Sequence, residues 1–326
     1  MAPPYKVCLI GSGGVGTIAS LVLTKSGRAE VTAVLRSKYQ HVAQHGWDIE
    51  SVDHGTLTNW KPHRVVGSVA DAAVDKDGST VQYDFVVVCT KQLPDRNPVV
   101  PMIEAVVAPG HTAIVLIQNG IGIDEPLTQK WPRNTVLSSV SHIGSGVSGA
   151  NKVNQIGRDV SKIGVHAGSA DVAADYIAMY KAGGAAEVEF AEDIKAARWE
   201  KLLWNGTFNT VCALTRTDVG EIQRSKGRET LLVPMMHEIW NIAAADGHKL
   251  GDDIVQWMAY RLPDDCPYRA SMLVDVENGR PMELEVILGN PIKEARRLGV
   301  ATPVMDTVYR LLQVEAWKID EAAKKQ

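Results

Sequence analysis

A chain of 326 residues, 45% hydrophobic and 22% charged, is long enough for two compact domains at ~150 residues each and can bury a substantial core. Its formal net charge of -4, with Lys and Arg scattered, excludes the basic footprint that nucleic acid demands, and no apolar run reaches the ~18 residues of a membrane span. Cys8, Cys89, Cys212 and Cys266 form no close CxxC pair, so the thiols read as reduced and the compartment as cytoplasm.

Met1 to Lys6 runs straight into a strand pattern with no charged and apolar signal segment ahead of it. Short runs that are apolar throughout follow at Lys6 to Ile10, Glu30 to Leu35, Tyr83 to Cys89, Thr112 to Ile117 and Thr135 to Val140. Such runs suit strands of a parallel sheet covered on both faces, and the stretches between several of them suit crossover helices. Val74 to Thr80 reads as a polar loop. From about Val188 the texture becomes helical, with amphipathic patterns over Asp193 to Leu214, Arg228 to Asp246, Asp252 to Arg261, Met282 to Leu298 and Pro303 to Ile319. Gly247 and Gly299 stand where helix carboxyl caps fall, and Pro303 can open the last helix. The expected fold is α/β: a Rossmann-type, doubly wound parallel sheet over residues 1–190, followed by an all-helical domain over 191–326. The carboxyl end, Ala322 to Gln326, carries no address signal.

Gly11-Ser12-Gly13-Gly14-Val15-Gly16 satisfies G-x-G-x-x-G directly after the first strand and before a helical run. The first glycine permits the tight turn, the second lets backbone approach a pyrophosphate, and the third lets helix pack on strand. The helix amino terminus then offers free N–H groups and a positive dipole end. The next strand ends in Leu35-Arg36-Ser37-Lys38, without the acid that accepts from an NAD ribose. Arg36 and its neighbours suit a 2′-phosphate instead, so NADPH is the expected cofactor. Two later strand ends, Thr90-Lys91-Gln92 and Gln118-Asn119-Gly120, also fall where such sheets bind ligands.

In the helical half, Lys201, Asn205 and Asn209 recur every four residues along one helix face, which is either a polar edge or a row of substrate ligands. Asn205-Gly206-Thr207 matches a glycosylation sequon, a chance match in a cytosolic chain. No His/Cys/Asp cluster has metal spacing, and no metal is expected. His41 and His45 read as an exposed helix face. Ser138, Ser139, Ser141 and His142 lack a nucleophile-elbow context, which argues against hydrolase chemistry.

These motifs together resemble the ketopantoate reductase (2-dehydropantoate 2-reductase) family over nearly the whole chain. The glycine loop, Arg36, Thr90-Lys91-Gln92, Gln118-Asn119-Gly120, Lys201-x3-Asn205-x3-Asn209, and Ala270 to Asp275 with Gly279 to Glu285 carry the likeness. The resemblance implies that Lys201 is the general acid protonating the developing alkoxide, and that Glu283 hydrogen-bonds the substrate hydroxyl and the lysine. It implies further that Asn205, Asn209 and Ser271 hold the keto acid, that Asn119 bridges substrate and nicotinamide, and that Lys91 and Gln92 lie against the cofactor. The implied reaction is NADPH-dependent reduction of a small branched 2-keto acid, 2-dehydropantoate first, as in pantothenate biosynthesis. Ile287-Leu288-Gly289 replaces the family's Ile-Asn-Gly, Asp275-Val276-Glu277-Asn278 is more acidic than usual, and Pro94 is unusual in its turn. A 2-oxoisovalerate-like acid of secondary metabolism therefore stays open as substrate, as does a catalytically silent NADP-binding sensor. An apolar stripe on a carboxyl-terminal helix can bury a homodimer contact.

Overall fold

The computed structural model describes residues 3–325; Met1, Ala2 and Gln326, which end the two expected domains and the terminal segments read for signals, lie outside the described residues. The chain forms two compact units. One comprises the chain up to Lys91 with Asn97–Gln118 and Ile123–Ile194; the other comprises Gln92–Arg96, Asn119–Gly122 and the chain from Lys195 onward.

In the first unit, the five expected strands are β1 (Tyr5–Ile10), β2 (Ala29–Val34), β6 (Phe85–Val88), β7 (Ala113–Leu116) and β8 (Val136–His142). With β5 (Arg64–Val66), β11 (Val160–Ala167) and β12 (Glu187–Phe190) they build an eight-stranded sheet in the order β12-β11-β8-β7-β6-β1-β2-β5. Every neighbouring pair is parallel except β11 with β8, which is antiparallel. The sheet is therefore mixed, where the sequence suggested a parallel one. The physical reason is the connection: β8 returns to β11 without a crossover helix, and only an antiparallel partner can be reached that way.

Val7, Leu9, Val31, Val87, Val115 and Leu137 are fully buried in this sheet, and the Gly14–Lys25 helix lays Ile18, Leu21 and Val22 on the same core. The Ala170–Ala182 helix adds Tyr176 and Tyr180, whose stacked rings continue from Phe85. Chain order places β1 between β2 and β6, so the strand order reverses at the β1/β6 boundary, where ligands bind in open α/β sheets.

A second sheet, β4-β3-β10-β9, went unread in the sequence: β3 (Trp47–Ser51), β4 (Gly55–Trp60), β9 (Ser145–Ser148) and β10 (Lys152–Gln155). These strands are short and half-exposed, so they lack the continuous apolar runs that marked the main sheet. The Val74–Thr80 stretch closes on itself through a single antiparallel bridge. His41 and His45 are exposed on the Tyr39–His45 helix, with ring centroids 4.8 Å apart.

The second unit is helical. Its principal helices are Ile194–Asn205, Phe208–Thr215, Val233–Ala245, Ser271–Glu277, Asn290–Leu298 and Pro303–Ala323. Gly247 and Gly299 take the left-handed backbone expected at helix ends, with φ of 86° and 73°. Two amphipathic stretches begin with π-helical turns, Arg228–Leu232 and Glu285–Gly289, before becoming α-helical. Leu311, Val314 and Trp317 project from the terminal helix, 48%, 55% and 62% exposed, at every third position. Among the described residues no helix is long and apolar enough to cross a membrane.

Candidate functional site

The glycine loop is shaped as its sequence demands. Gly11 has φ +99°, and a Cβ there would lie 2.6 Å from the Thr90 amide, so the ends of β1 and β6 meet through this residue. At Gly16 a Cβ would fall 1.9 Å from the Gly11 carbonyl oxygen, which forbids any side chain. Gly13, by contrast, faces open space within 4 Å and caps the Gly14–Lys25 helix without a side-chain hydrogen bond. The first-turn amides of Gly14, Val15 and Gly16 thus start an uncapped helix, and among the described residues the buried Ser12 hydroxyl has no protein partner. This set of donors fits an anionic pyrophosphate. Gly14 answers a different constraint: a Cβ would sit 2.6 Å from the Gly146 amide of β9. The second sheet therefore explains a glycine that the fingerprint leaves free.

Arg36 is exposed just beyond β2. Lys38 is not available beside it, because its Nζ donates to the carbonyls of Gly149 and Ala150 at 2.7 and 3.2 Å. Of the two cations expected for a 2′-phosphate, only Arg36 is left to meet it. Lys91 is half-buried at the end of its unit, and Gln118 Nε2 donates to the Thr90 carbonyl at 2.7 Å, closing the β6 and β7 strand ends together.

The second unit gathers Lys201, Glu283, Asn119, Gln92, Asn205, Asn209 and Ser271. Glu283 accepts the Gln92 backbone N–H at 2.8 Å on one carboxylate oxygen and the Asn119 Nδ2 at 3.4 Å on the other. The Asn119 segment is tied down in three ways. Arg198, buried to 5% exposure, donates to the Gly120 carbonyl at 2.9 Å. Ile121 N–H donates to Val286 O at 2.9 Å, and Asn290 Nδ2 to Ile121 O at 2.8 Å. Gly120 has φ +102°, and a Cβ there would strike Val286. Spacing alone could not reveal Arg198, because its work is done through a backbone carbonyl far away in sequence.

Lys201 keeps some surface exposed, but protein surrounds its ammonium. Burial pushes its pKa down from 10.5 to about 8; the neighbouring Arg198 acts the same way and the Glu283 carboxylate opposes both. A lysine so placed is mostly protonated near neutrality yet a far better proton donor than a free one.

The helix expected over Asp193 to Leu214 breaks at Gly206-Thr207. A Cβ at Gly206 would lie 2.8 Å from Ile239 Cδ1, so a close side-chain approach occupies the break. The Thr207 and Thr210 hydroxyls donate to the Leu203 and Gly206 carbonyls at 2.5 and 2.7 Å, satisfying backbone the break would strand. The asparagine row survives: Asn209 Nδ2 donates to Asn205 Oδ1 at 3.0 Å and to Ser271 Oγ at 3.1 Å. Both asparagines are buried, which removes Asn205 from any glycosylating enzyme. Asn209 Oδ1, also buried, has no protein partner among the described residues. Beside this row Trp204 stacks on Phe208 at 4.3 Å, with Tyr268 6.2 Å from Trp204 and Arg261 over the Trp204 ring at 4.6 Å.

Leu288 is fully buried and Ile287 is 2% exposed, so the apolar departure from Ile-Asn-Gly is a core residue of the π-helical turn. In the first unit Ser138 Oγ lies 2.7 Å from His166 Nε2, and His166 Nδ1 3.2 Å from Asp124. That chain has the order of a hydrolytic triad, but Ser138 is 0% exposed on β8, beyond the reach of a substrate.

The family model described as Ketopantoate reductase PanE/ApbA matches residues 7–168, and its carboxyl-terminal counterpart matches residues 193–316. An uncharacterised protein of Saccharomyces cerevisiae is 36% identical over 97% of this chain and 95% of its own. The crystal structure of 2-dehydropantoate 2-reductase from Methylococcus capsulatus superposes with a TM-score of 0.83 at 32% identity, over 96% of this chain and 97% of that one. A ternary structure of D-mandelate dehydrogenase with NADH and anilino(oxo)acetate shares the fold, with a TM-score of 0.83 at 21% identity over 97% and 99% of the two chains. Matched in both of its units, the chain belongs to the ketopantoate reductase family of oxidoreductases.

Proposed function

We propose that the protein reduces a small branched 2-keto acid to the 2-hydroxy acid with NADPH, 2-dehydropantoate being the first candidate. The observation that carries this reading is the Lys201 ammonium, lowered to about 8 beside Glu283, in the same unit as the Asn205–Asn209–Ser271 row. Residues 1–190 serve as the NADP-binding domain and 191–326 as the catalytic one. Gly11 to Gly16 hold the pyrophosphate, Arg36 the 2′-phosphate, and Lys91, Gln92 and Asn119 lie toward the nicotinamide. Bound NADPH supplies the hydride that reaches the keto carbon. As the carbonyl π pair moves onto oxygen, Lys201 stabilises the growing negative charge and gives up its proton to make the hydroxyl. Glu283, fixed by Gln92 and Asn119, accepts from the substrate hydroxyl and keeps the lysine charged. Asn205, Asn209 and Ser271 hold the polar ends of the keto acid. The unpartnered Asn209 Oδ1 favours a substrate that carries its own hydroxyl, as 2-dehydropantoate does and 2-oxoisovalerate does not.

A second reading, a bulkier aromatic 2-keto acid, draws on the Trp204, Phe208 and Tyr268 rings beside the asparagines. Steady-state kinetics with NADPH against 2-dehydropantoate, 2-oxoisovalerate and an aromatic 2-keto acid decide between them. Inactivity on all three would leave a silent NADP-binding sensor. Arg36→Glu is expected to raise the KM for NADPH by on the order of 10²-fold, because it trades a charge-assisted contact for repulsion, while the KM for NADH falls or holds. Equal effects on both cofactors would remove Arg36 from the phosphate site. A homodimer and a cytoplasmic location belong to the same proposal; light scattering checks the first.

A further inference from the structure

We propose that the terminal helix is a positioning strut for Glu283, acting through Arg96 and Asp320; the inference rests on Glu283 and Lys201 being the reacting pair. The Gln92–Arg96 segment carries the amide that binds Glu283, and its own Arg96 N–H closes a turn on Leu93 O at 3.0 Å. At the far end of that turn, Arg96 Nη2 reaches both carboxylate oxygens of Asp320 at 2.5 Å. Asp320 sits near the end of the Pro303–Ala323 helix. The same helix also holds the chain just after Glu283: Tyr309 donates its hydroxyl to Glu285, two residues on, at 2.7 Å. Tyr309 and Asp320 are eleven residues apart, so at ~3.6 residues per turn they share one helix face, separated by roughly 16 Å of rise.

Between turn and helix runs an open groove of about 270 Å³, lined by Pro94, Met282, Leu284, Gln313 and Trp317 among others. Across that groove the Arg96–Asp320 pair bridges the turn and the helix. Its side chains are 37% and 35% exposed, so salt can reach it. The pair therefore adds little global stability, but it sets where the Gln92 amide points.

The test uses the full-length protein and compares Asp320→Ala, Asp320→Glu and the exchange Arg96→Asp with Asp320→Arg. Asp320→Ala is expected to lower kcat by on the order of 10-fold, short of the ~10²-fold that an ångström of misplacement costs, with a smaller effect on NADPH affinity. Because Glu283 supports the Lys201 charge, a wandering Glu283 moves the basic limb of the pH profile to lower pH. Amide exchange across 92–96 speeds up, and the charge exchange restores both rate and limb. Added salt slows the wild type toward the Asp320→Ala rate and barely affects that variant. A folded Asp320→Ala protein with wild-type kcat, or one that loses rate only through a lowered melting midpoint with the limb unmoved, overturns the strut. If the wild type reduces no 2-keto acid, the proposed function fails; unchanged exchange of the 92–96 amides in Asp320→Ala would separately refute the strut.

Discussion

Lys201→Ala is expected to lower kcat by ~10²–10⁴-fold, the range that a positioned proton donor contributes, while NADPH binds as tightly as before. The separation follows from the architecture. The donors proposed for the phosphates belong to the glycine loop of the first unit, and Lys201 to the Ile194–Asn205 helix of the second. Titration of NADPH fluorescence and single-turnover rates distinguish binding from chemistry. The wild-type pH profile carries the same assignment. Lys201 must be charged to act as an acid, and burial with Arg198 holds its pKa at about 8. Reduction should therefore stay near its plateau below about pH 8 and decline tenfold per pH unit above it. Lys201→Arg keeps the positive charge yet cannot release a proton, so it should abolish this limb along with most of the rate. An undiminished rate in Lys201→Ala would reject Lys201 as the acid.

What could be read from the sequence was whatever is local. Gly11, Gly13 and Gly16 stand at a fixed spacing within one strand–loop–helix, and the five buried strands declare themselves through unbroken apolar runs such as Phe85–Val88. Lys201, Asn205 and Asn209 follow the helical repeat closely enough that a break at Gly206 does not separate the asparagines. The rest depends on contacts distant in the chain. The second sheet pairs β3 with β10 across about a hundred residues, and its polar alternation left no mark that a sequence window could detect. Lys38 looked like a phosphate ligand until the Gly149 and Ala150 carbonyls claimed it. The antiparallel β11 is likewise a consequence of how the chain returns from that second sheet. Gln92, expected near the cofactor, turns its backbone N–H onto Glu283, a use that no side-chain pattern encodes.

Glu283→Gln is the sharper test of the proposed reacting pair, because it changes charge with little change in volume. The amide oxygen can still accept from the Gln92 N–H, so the Glu283 segment should keep its place and the protein its melting midpoint. The opposite corner suffers, since the new NH₂ group would confront the Asn119 Nδ2 donor, and Asn119 must turn away. Above all, a neighbour that raises the Lys201 pKa loses its charge, while burial and Arg198 continue to lower it. The basic limb should therefore move below about pH 8, and kcat at neutral pH should fall on the order of 10²-fold. Glu283→Asp keeps the charge but is one methylene too short to meet both Gln92 and Asn119, so it should lose rate with a smaller displacement of the limb. The order of the two displacements carries the test: a limb that moves as far in Glu283→Asp as in Glu283→Gln would mean that Glu283 acts by position alone, without electrostatic support of the lysine.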